Sequence, residues 1–302
     1  MLPISINNNR VKYSFEEEID DGMSSLVYRV FFSGNEYALK LFNRNIPDSY
    51  FQNELRICRE LCTEENPDFI RYISSSEDDH ICNANYIVFE LAKKGTLEDF
   101  ITYEIPFTEN NVKIIFWKLA KMVKLMHILG FCHRDLKPGN IFVDQNFHLK
   151  LGDFGSAKYF LNQNGESVLL YDKAGTLEYM APEIRKNFPY DGEKVDIYSL
   201  GVILLYLRTG KLLSEKGKDL STDITQENFW KKIELEKDNL PQNFKDLVTS
   251  MLDKNYQNRP DIDTILNNSY FDEIRNPNNF QEGYNAFRDK LREIDNYNKV
   301  EF

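Results

Sequence analysis

The chain has 302 residues, of which 42% are hydrophobic and 28% charged, and its formal net charge is −11. With 22 Phe and 17 Tyr it has the apolar content of a folded protein, which excludes disorder along its whole length. The acidic balance argues against nucleic acid as the main partner, because a phosphate backbone asks for a net basic face.

The opening Met1-Leu2-Pro3-Ile4-Ser5 shows no basic region followed by an apolar run, so no signal peptide is expected. No run of roughly 18 apolar residues predicts a membrane span. β-branched and aromatic residues predict strands over 11–15, 26–32 and 36–42, with Ser33-Gly34-Asn35 as a hairpin turn. Phe51, Leu55, Cys58 and Cys62 then fall at helical spacing over 50–62, and Pro67 lies beyond the helix end. Strands are predicted at 69–73 and 86–91, joined by a polar loop at 74–79. Cys58, Cys62, Cys82 and Cys132 lack the second Cys/His pair of a zinc site, so reduced thiols in an intracellular protein are the simplest reading.

From about residue 95 the pattern becomes helical. Val112, Ile115, Phe116, Leu119, Val123 and Met126 make one apolar stripe, and Gly130 stands at its stop. Short apolar segments follow at 141–143 and 149–151, then a polar stretch without periodicity at 156–171. Further helices are predicted at 195–209, ended by Gly210, and at 244–252, 262–266 and 284–294. The last suits either packing on the larger lobe or binding a partner.

Between the helical stripe and the segment 141–143 lies His133-Arg134-Asp135-Leu136-Lys137-Pro138-Gly139-Asn140. Alone, Asp135 could be a turn residue. The whole octamer resembles the catalytic loop of protein kinases. The resemblance implies that Asp135 orients the substrate hydroxyl and accepts its proton, and that Lys137 steadies the γ-phosphate as a compact cation. A Lys there, followed by Pro138, is similar to serine/threonine kinases rather than tyrosine kinases. Asn140 and Asp153, the latter in Asp153-Phe154-Gly155, are the implied metal ligands, and hard oxygens of this kind suit Mg²⁺.

Upstream, Tyr37-Ala38-Leu39-Lys40 resembles the strand whose Lys binds the α- and β-phosphates of ATP. Its implied partner is Glu54, chosen over Glu60 and Glu64 at the helix end. The glycine-rich loop departs from the family pattern Gly-x-Gly-x-x-Gly-x-Val. Of the three glycines in Asp20-Asp21-Gly22-Met23-Ser24-Ser25-Leu26-Val27 only the central Gly22 remains, where backbone must approach phosphate. Asp20 in the first place is expected to weaken ATP binding, and Ser25 in the last is a mild change. Val27 and Ala38 are implied to roof the adenine with Phe142 beneath, although core packing would explain the same residues. Phe89-Glu90-Leu91-Ala92 looks like the hinge, with Phe89 guarding the back pocket and Glu90 and Ala92 offering backbone groups to adenine.

Gly175-Thr176-Leu177-Glu178-Tyr179-Met180-Ala181-Pro182-Glu183 resembles the end of a protein kinase activation segment, which favours a polypeptide substrate over a small molecule. The resemblance implies contacts of Thr176 with Asp135 and Lys137, a buried Glu183–Arg259 ion pair, and Asp196 as the buried acid holding the catalytic-loop backbone. Arg134 precedes the catalytic Asp, and in such kinases a phosphorylated residue often neutralises it. Asp172 stands where a phosphothreonine commonly sits, so it either pairs with Arg134 and partly replaces phosphorylation or is a solvated loop acid. Ser167, Tyr171 and Thr176 are candidate phosphosites. Gly139 and Thr96 occupy places where arginine-directed kinases tend to carry Glu, which leans against a strict requirement for basic residues.

The expectation is an α+β, two-lobed protein kinase fold over 13–272, with a small β-rich lobe at 13–90, a helical lobe at 95–272 and a helical tail at 273–302. It would use ATP and Mg²⁺ to phosphorylate Ser or Thr of a protein substrate in the cytoplasm, with no nucleic-acid partner and a regulatory partner left open. The alternative reading is a weakly active pseudokinase scaffold, motivated by Asp20 and Ser25.

Overall fold

A computed structural model of the chain describes residues 5–8, 11–21, 25–76, 85–101, 107–213, 220–226, 228–236 and 240–300. The chain divides into two compact units. The first comprises Met1–Gly95 and Phe142–Gly155, the second Thr96–Ile141 and Ser156–Phe302.

Among the described residues unit 1 is built on a six-stranded antiparallel sheet with one α-helix, and Leu149–Leu151 pairs with Ile141–Val143 as a separate ribbon. The sheet's strands are β1 (Ser5–Asn8), β2 (Val11–Asp21), β3 (Ser25–Phe32), β4 (Asn35–Phe42), β5 (Tyr72–Ser76) and β6 (Tyr86–Glu90), in the spatial order β1-β2-β3-β4-β6-β5. The β3–β4 hairpin turns on two residues, Ser33 and Gly34, both at positive φ (51° and 80°), as the turn matching the right-handed twist of the strands requires. Residues directly opposite in an antiparallel pair share a face. The register Val27↔Lys40, Lys40↔Ile87 and Ala38↔Phe89 therefore puts Val27, Ala38, Lys40, Ile87 and Phe89 on one face. Val30, Leu39 and Val88 take the opposite face, in a core cluster with Tyr13 and Tyr86.

Helix α1 (Asp48–Leu61) buries Phe51, Glu54, Leu55, Ile57, Cys58 and Leu61. Phe51 meets Phe42 of β4 edge-on, with ring centroids 5.2 Å apart. The segment from Phe142 to Gly155 is tied into the same unit by backbone bonds. Val143 N–H donates to Gly95 O (2.9 Å), Ile70 N–H to Leu151 O (2.9 Å) and Leu151 N–H to Asp68 O (2.9 Å).

Two expectations for this unit are corrected. The fifth strand is Tyr72–Ser76 rather than 69–73, so Ser74, Ser75 and Ser76, expected in a loop, pair with Val88, Ile87 and Tyr86. The strand lies at the sheet edge, where backbone pairing tolerates polar side chains, and the Tyr13 and Tyr72 hydroxyls bond Ser74 and Ser75 at 3.0 and 2.9 Å. Phe69 instead makes an isolated parallel bridge with Leu151. Gly22 and Cys82 lie outside the described residues.

Unit 2 is helical. Helix α2 (Glu109–Ile128) starts at a capping box in which the Thr108 hydroxyl accepts from Asn111 N–H, and the stripe from Val112 to Met126 is buried. A short ribbon pairs Phe131–Cys132 with Lys158–Tyr159, inside the stretch expected to be irregular. Helix α3 (Pro182–Arg185) precedes α4 (Gly192–Thr209), which starts three residues before the expected 195 because Asp191 accepts from Glu193 N–H and Lys194 N–H. Nearly every residue of α4 is buried, which marks it as the helix around which the unit is packed. Then follow α5 (Leu220–Asp223), α6 (Phe229–Glu236), α7 (Gln242–Met251) and α8 (Ile262–Leu266).

The last helix, α9 (Pro277–Val300), is longer than the expected 284–294. Its buried residues Tyr284, Phe287, Leu291 and Ile294 recur at helical spacing. Phe280 lies 5.0 Å from Trp117 of α2, and Phe287 lies 5.8 Å from Phe107. Phe287 is 0% exposed, so Phe287→Ala should lower stability by about 3–5 kcal/mol. Equilibrium denaturation checks this, and a loss below about 1 kcal/mol would mean that α9 is not docked in solution.

Candidate active site

Two constellations of charged residues stand out, one in each unit. In unit 1, Lys40 of β4 donates to both carboxylate oxygens of Glu54 on α1, at 2.8 and 2.9 Å, and to Asp153 Oδ1 at 2.9 Å. The helix register explains the reach. The face of α1 that buries Phe51, Leu55 and Cys58 also carries Glu54, which is 1% exposed. Burial opposes the charge on Lys40, but Asp153 and Glu54 outweigh it and hold the ammonium protonated well above the usual lysine range. Burial pushes Glu54 up against the pull of Lys40. The Asp153 side chain keeps 42% of its surface exposed, and Asp153 adopts φ 54°.

The other residues singled out for unit 1 take these places. Val27, Ala38 and Phe89 share the sheet face of Lys40, Val27 and Ala38 half-buried and Phe89 buried. Phe142 is half-buried, as is Ala92, whose carbonyl accepts from Gly95 N–H at 3.2 Å. The Glu90 N–H donates to Arg71 O (3.0 Å) and so is engaged within the unit. Sequence reasoning missed the Glu90 side chain. Its Oε1 accepts from Arg71 N–H (2.8 Å) and Lys150 Nζ (2.6 Å), clasping β6 to the 142–155 segment. Asp20 is exposed on β2 opposite Val27, and Ser25 is 4% exposed.

In unit 2 the catalytic-loop octamer hangs on Asp196 of α4. This 0% exposed carboxylate accepts from His133 N–H (2.8 Å), Arg134 N–H (2.7 Å) and His127 Nε2 (2.9 Å). Arg134 sits at φ 65°, a left-handed conformation that an L-residue holds only where its surroundings dictate it. Next to it, Asp135 Oδ1 accepts from Thr176 N–H at 2.7 Å. Lys137 Nζ donates to the Thr176 hydroxyl at 2.9 Å and lies 3.5 Å from Asp135 Oδ2. Asn140 Nδ2 donates to Asp135 O (2.7 Å) and Oδ2 (3.2 Å), which leaves its carbonyl oxygen as the group it can offer a ligand. Gly175 precedes Thr176 at φ 103°, and a Cβ there would stand 2.3 Å from Arg134 O, so only glycine lets the two chains approach.

The anchors follow. Arg259 makes a bidentate pair with Glu183 at 2.7 and 2.8 Å, with its side chain 0% exposed. Arg134 Nη1 meets Asp172 Oδ2 at 2.8 Å, so Asp172 pairs with Arg134 while 48% of its side chain stays exposed. Lys158 Nζ takes the other oxygen at 2.6 Å. Burial tends to raise the Asp172 carboxyl, but the bonds from Lys158 and Arg134 prevail and hold it at about 2, below its ordinary 3.8. Lys158, His127 and Tyr190, which joins the same cluster, carry no sequence signal beyond their types.

A family model, the protein kinase domain, matches residues 13–271. Among curated proteins the chain is 34% identical over 62% of its length to the serine/threonine-protein kinase ppk16 of Schizosaccharomyces pombe. It is 30% identical over 93% of its length to the serine/threonine-protein kinase DCLK2 of Mus musculus. Against the liver/testis phosphorylase b kinase gamma catalytic chain of Rattus norvegicus it is 28% identical over 87% of its length, covering 67% of that protein. The chain spans only 27% of ppk16 and 38% of DCLK2.

Two outcomes follow from the geometry. Lys40→Met strands the buried Glu54 carboxylate and should lower stability by about 3–5 kcal/mol, read as a fall in denaturant midpoint. An unchanged midpoint would mean that Glu54 finds another partner. For Asp172, whose folded value is depressed to about 2, the ionised carboxylate stabilises the fold above its unfolded value, and this contribution is lost as pH falls through about 2. Asp172→Asn should therefore be less stable than the native chain by a margin that is complete at about pH 5 and shrinks towards pH 2. A pH-independent margin in urea unfolding would contradict this.

Proposed function

The chain belongs to the protein kinase domain family, and from that premise we propose that it is a serine/threonine protein kinase transferring the γ-phosphoryl group of ATP to protein substrates. The observation that carries the reading is the contact set of Asp135, Lys137 and Thr176. It holds a carboxylate and an ammonium side by side at the end of the activation segment.

Phosphoryl transfer asks the protein chiefly for alignment and charge compensation. Asp135 orients the substrate hydroxyl and takes its proton, its carboxylate held by Thr176 N–H at Oδ1 and by Asn140 Nδ2 at Oδ2. As the hydroxyl oxygen bonds the γ-phosphorus, the bond from that phosphorus to the β-bridging oxygen breaks and ADP leaves. Lys137, kept near Asp135 by Thr176, supplies the cation for the γ-phosphate. Lys40, ordered by Glu54, takes the α- and β-phosphates. Gly22, Val27, Ala38, Phe142, Glu90 and Ala92 serve the rest of the nucleotide in this proposal, with the Glu90 N–H excluded because it is already bonded.

The family's chemistry calls for a divalent metal, and the two residues assigned to it each offer a hard oxygen. Asp153 presents an exposed hard carboxylate, and both donor contacts of Asn140 go to Asp135, which keeps its oxygen for a ligand. Asp153 and Asn140 carry the metal role, with Mg²⁺ as the ion. When bound it neutralises phosphate charge.

The kinase domain takes residues 13–272, and the tail is a helix docked on it. A cytoplasmic setting with no nucleic-acid partner completes the proposal. It is supported by the net charge of −11 and by Cys58, Cys62 and Cys132, which are free and buried. Among the described residues no helix is long and apolar enough to cross a membrane. Asp20 and Ser25, which motivated the scaffold alternative, leave the Lys40–Glu54–Asp153 cluster joined.

The test is phosphate transfer from ATP with Mg²⁺ to a generic protein substrate, with the native chain and Asp135→Asn side by side. The expected outcome is phosphoserine or phosphothreonine from the native chain and a loss of at least about a hundredfold in the variant. Equal transfer by both proteins, or none by the native chain, would refute the reading.

A further inference from the structure

The cluster around Arg134 contains a group that the proposed reaction does not use. Tyr190 is 1% exposed and lies just before Asp191, the cap of α4. Its hydroxyl oxygen accepts from Arg134 Nη1 at 2.7 Å and donates to the main-chain carbonyl of Asp172 at 2.7 Å. Its main chain exchanges two hydrogen bonds with Leu170, at 3.0 and 2.8 Å, as an isolated antiparallel bridge. One residue thus grips the activation segment at two points and the catalytic loop at a third. Burial pushes the phenol up to about 12 against the pull of Arg134, so the proton needed for the Asp172 bond is present throughout the physiological range.

We propose that Tyr190 is a positioning residue for phosphoryl transfer, its hydroxyl fastening Arg134 to the main chain of Asp172 and thereby holding Thr176 against Asp135 and Lys137. This rests on the kinase reading above. The path is short. From Asp172 the chain runs through Lys173 and Ala174 to Gly175, packed on Arg134 O, and then to Thr176 with its bonds to Asp135 and Lys137. Arg134 needs support on both sides because its φ of 65° is costly. Asp196 supplies it from the backbone side, while Tyr190, Asp172 and the Ser156 carbonyl (2.7 Å from Nε) supply it from the guanidinium side.

The two fastenings of Asp172 differ in kind. Its side chain is 48% exposed, so its ion pairs with Arg134 and Lys158 are open to screening by salt. The Tyr190 bonds, buried to Arg134 and part-buried to Asp172, do not depend on a net charge at Asp172, and the second seizes its main chain. A loosened carboxylate therefore still leaves the segment tethered at its backbone.

Tyr190→Phe removes the hydroxyl and keeps the ring, so the packing of this buried position survives. Two readouts separate positioning from general stability: steady-state kinetics with ATP, Mg²⁺ and a protein substrate, and hydrogen–deuterium exchange across 167–176. The expected result is a fall in kcat of about tenfold with KM for ATP within about twofold of native. Exchange over 167–176 should rise while α4 stays protected. Native kcat in the variant, unchanged exchange over 167–176, or a rise in exchange that extends through α4 would each overturn the assignment. An inactive native chain would fail the kinase reading itself and take this inference with it. An active native chain with an undiminished Tyr190→Phe variant fails the inference alone.

Discussion

A single carboxylate with no access to solvent organises the second unit. Asp196 accepts two consecutive backbone N–H groups and a histidine nitrogen, and it sits on the most deeply buried helix of the molecule. A buried charge is tolerable only when its lone pairs are satisfied, so the carboxylate and the loop above it specify each other. The loop must present the His133 and Arg134 amides in the same direction, and the left-handed Arg134 residue is the backbone result. Everything that follows in the chain, from Asp135 to Asn140, is aimed by that turn. His127 extends the same logic into α2, because its ring nitrogen brings a third donor to Asp196 and joins α2 to α4.

The two charged constellations follow one electrostatic pattern with different degrees of exposure. In unit 1 a lysine lies between two carboxylates, one fully buried and one half-exposed. The buried partner fixes where the ammonium points, and the exposed one keeps surface for an incoming group. In unit 2 Lys137 and Asp135 are arranged similarly, with Thr176 as the neutral spacer that holds both. The net charge of −11 gives no hint of this, since it reflects the solvated surface, whereas the cations that matter are few and held at fixed distances.

Regulation and packing meet at Asp172. Its carboxylate joins Arg134 to Lys158, a residue of the short ribbon that also includes Cys132, so the start of the activation segment, the catalytic loop and the later part of the segment are tied within a few ångströms. A carboxylate carries one charge to an arginine where a phosphate would carry nearly two, and the lysine beside it shares that charge. The tail helix α9 packs separately, against α2.

The sequence by itself determined the parts whose chemistry is local. The octamer ending at Asn140, the Asp153-Phe154-Gly155 turn, Lys40 on its strand and Glu54 on the next helix were legible through their resemblance to protein kinase motifs, each of which lies within one loop, turn, strand or helix. The resemblance also implied the Glu183–Arg259 contact, whereas the sequence left Asp172 open between Arg134 and solvent. What only the tertiary structure decided were contacts whose partners have no characteristic spacing. Ser74–Ser76 form a strand because β6 offers a free ladder, although their side chains read as loop. Glu90 is bound by Lys150, and Tyr190 by Arg134 and the Asp172 carbonyl, each across a long stretch of chain. The helix Pro277–Val300 sets Phe280 against Trp117 of α2, a contact between distant segments. The reason is the same in each case. Periodicity and propensity record how a residue treats its near neighbours, while a hydrogen bond or an aromatic contact between distant segments depends on where the fold delivers its partner.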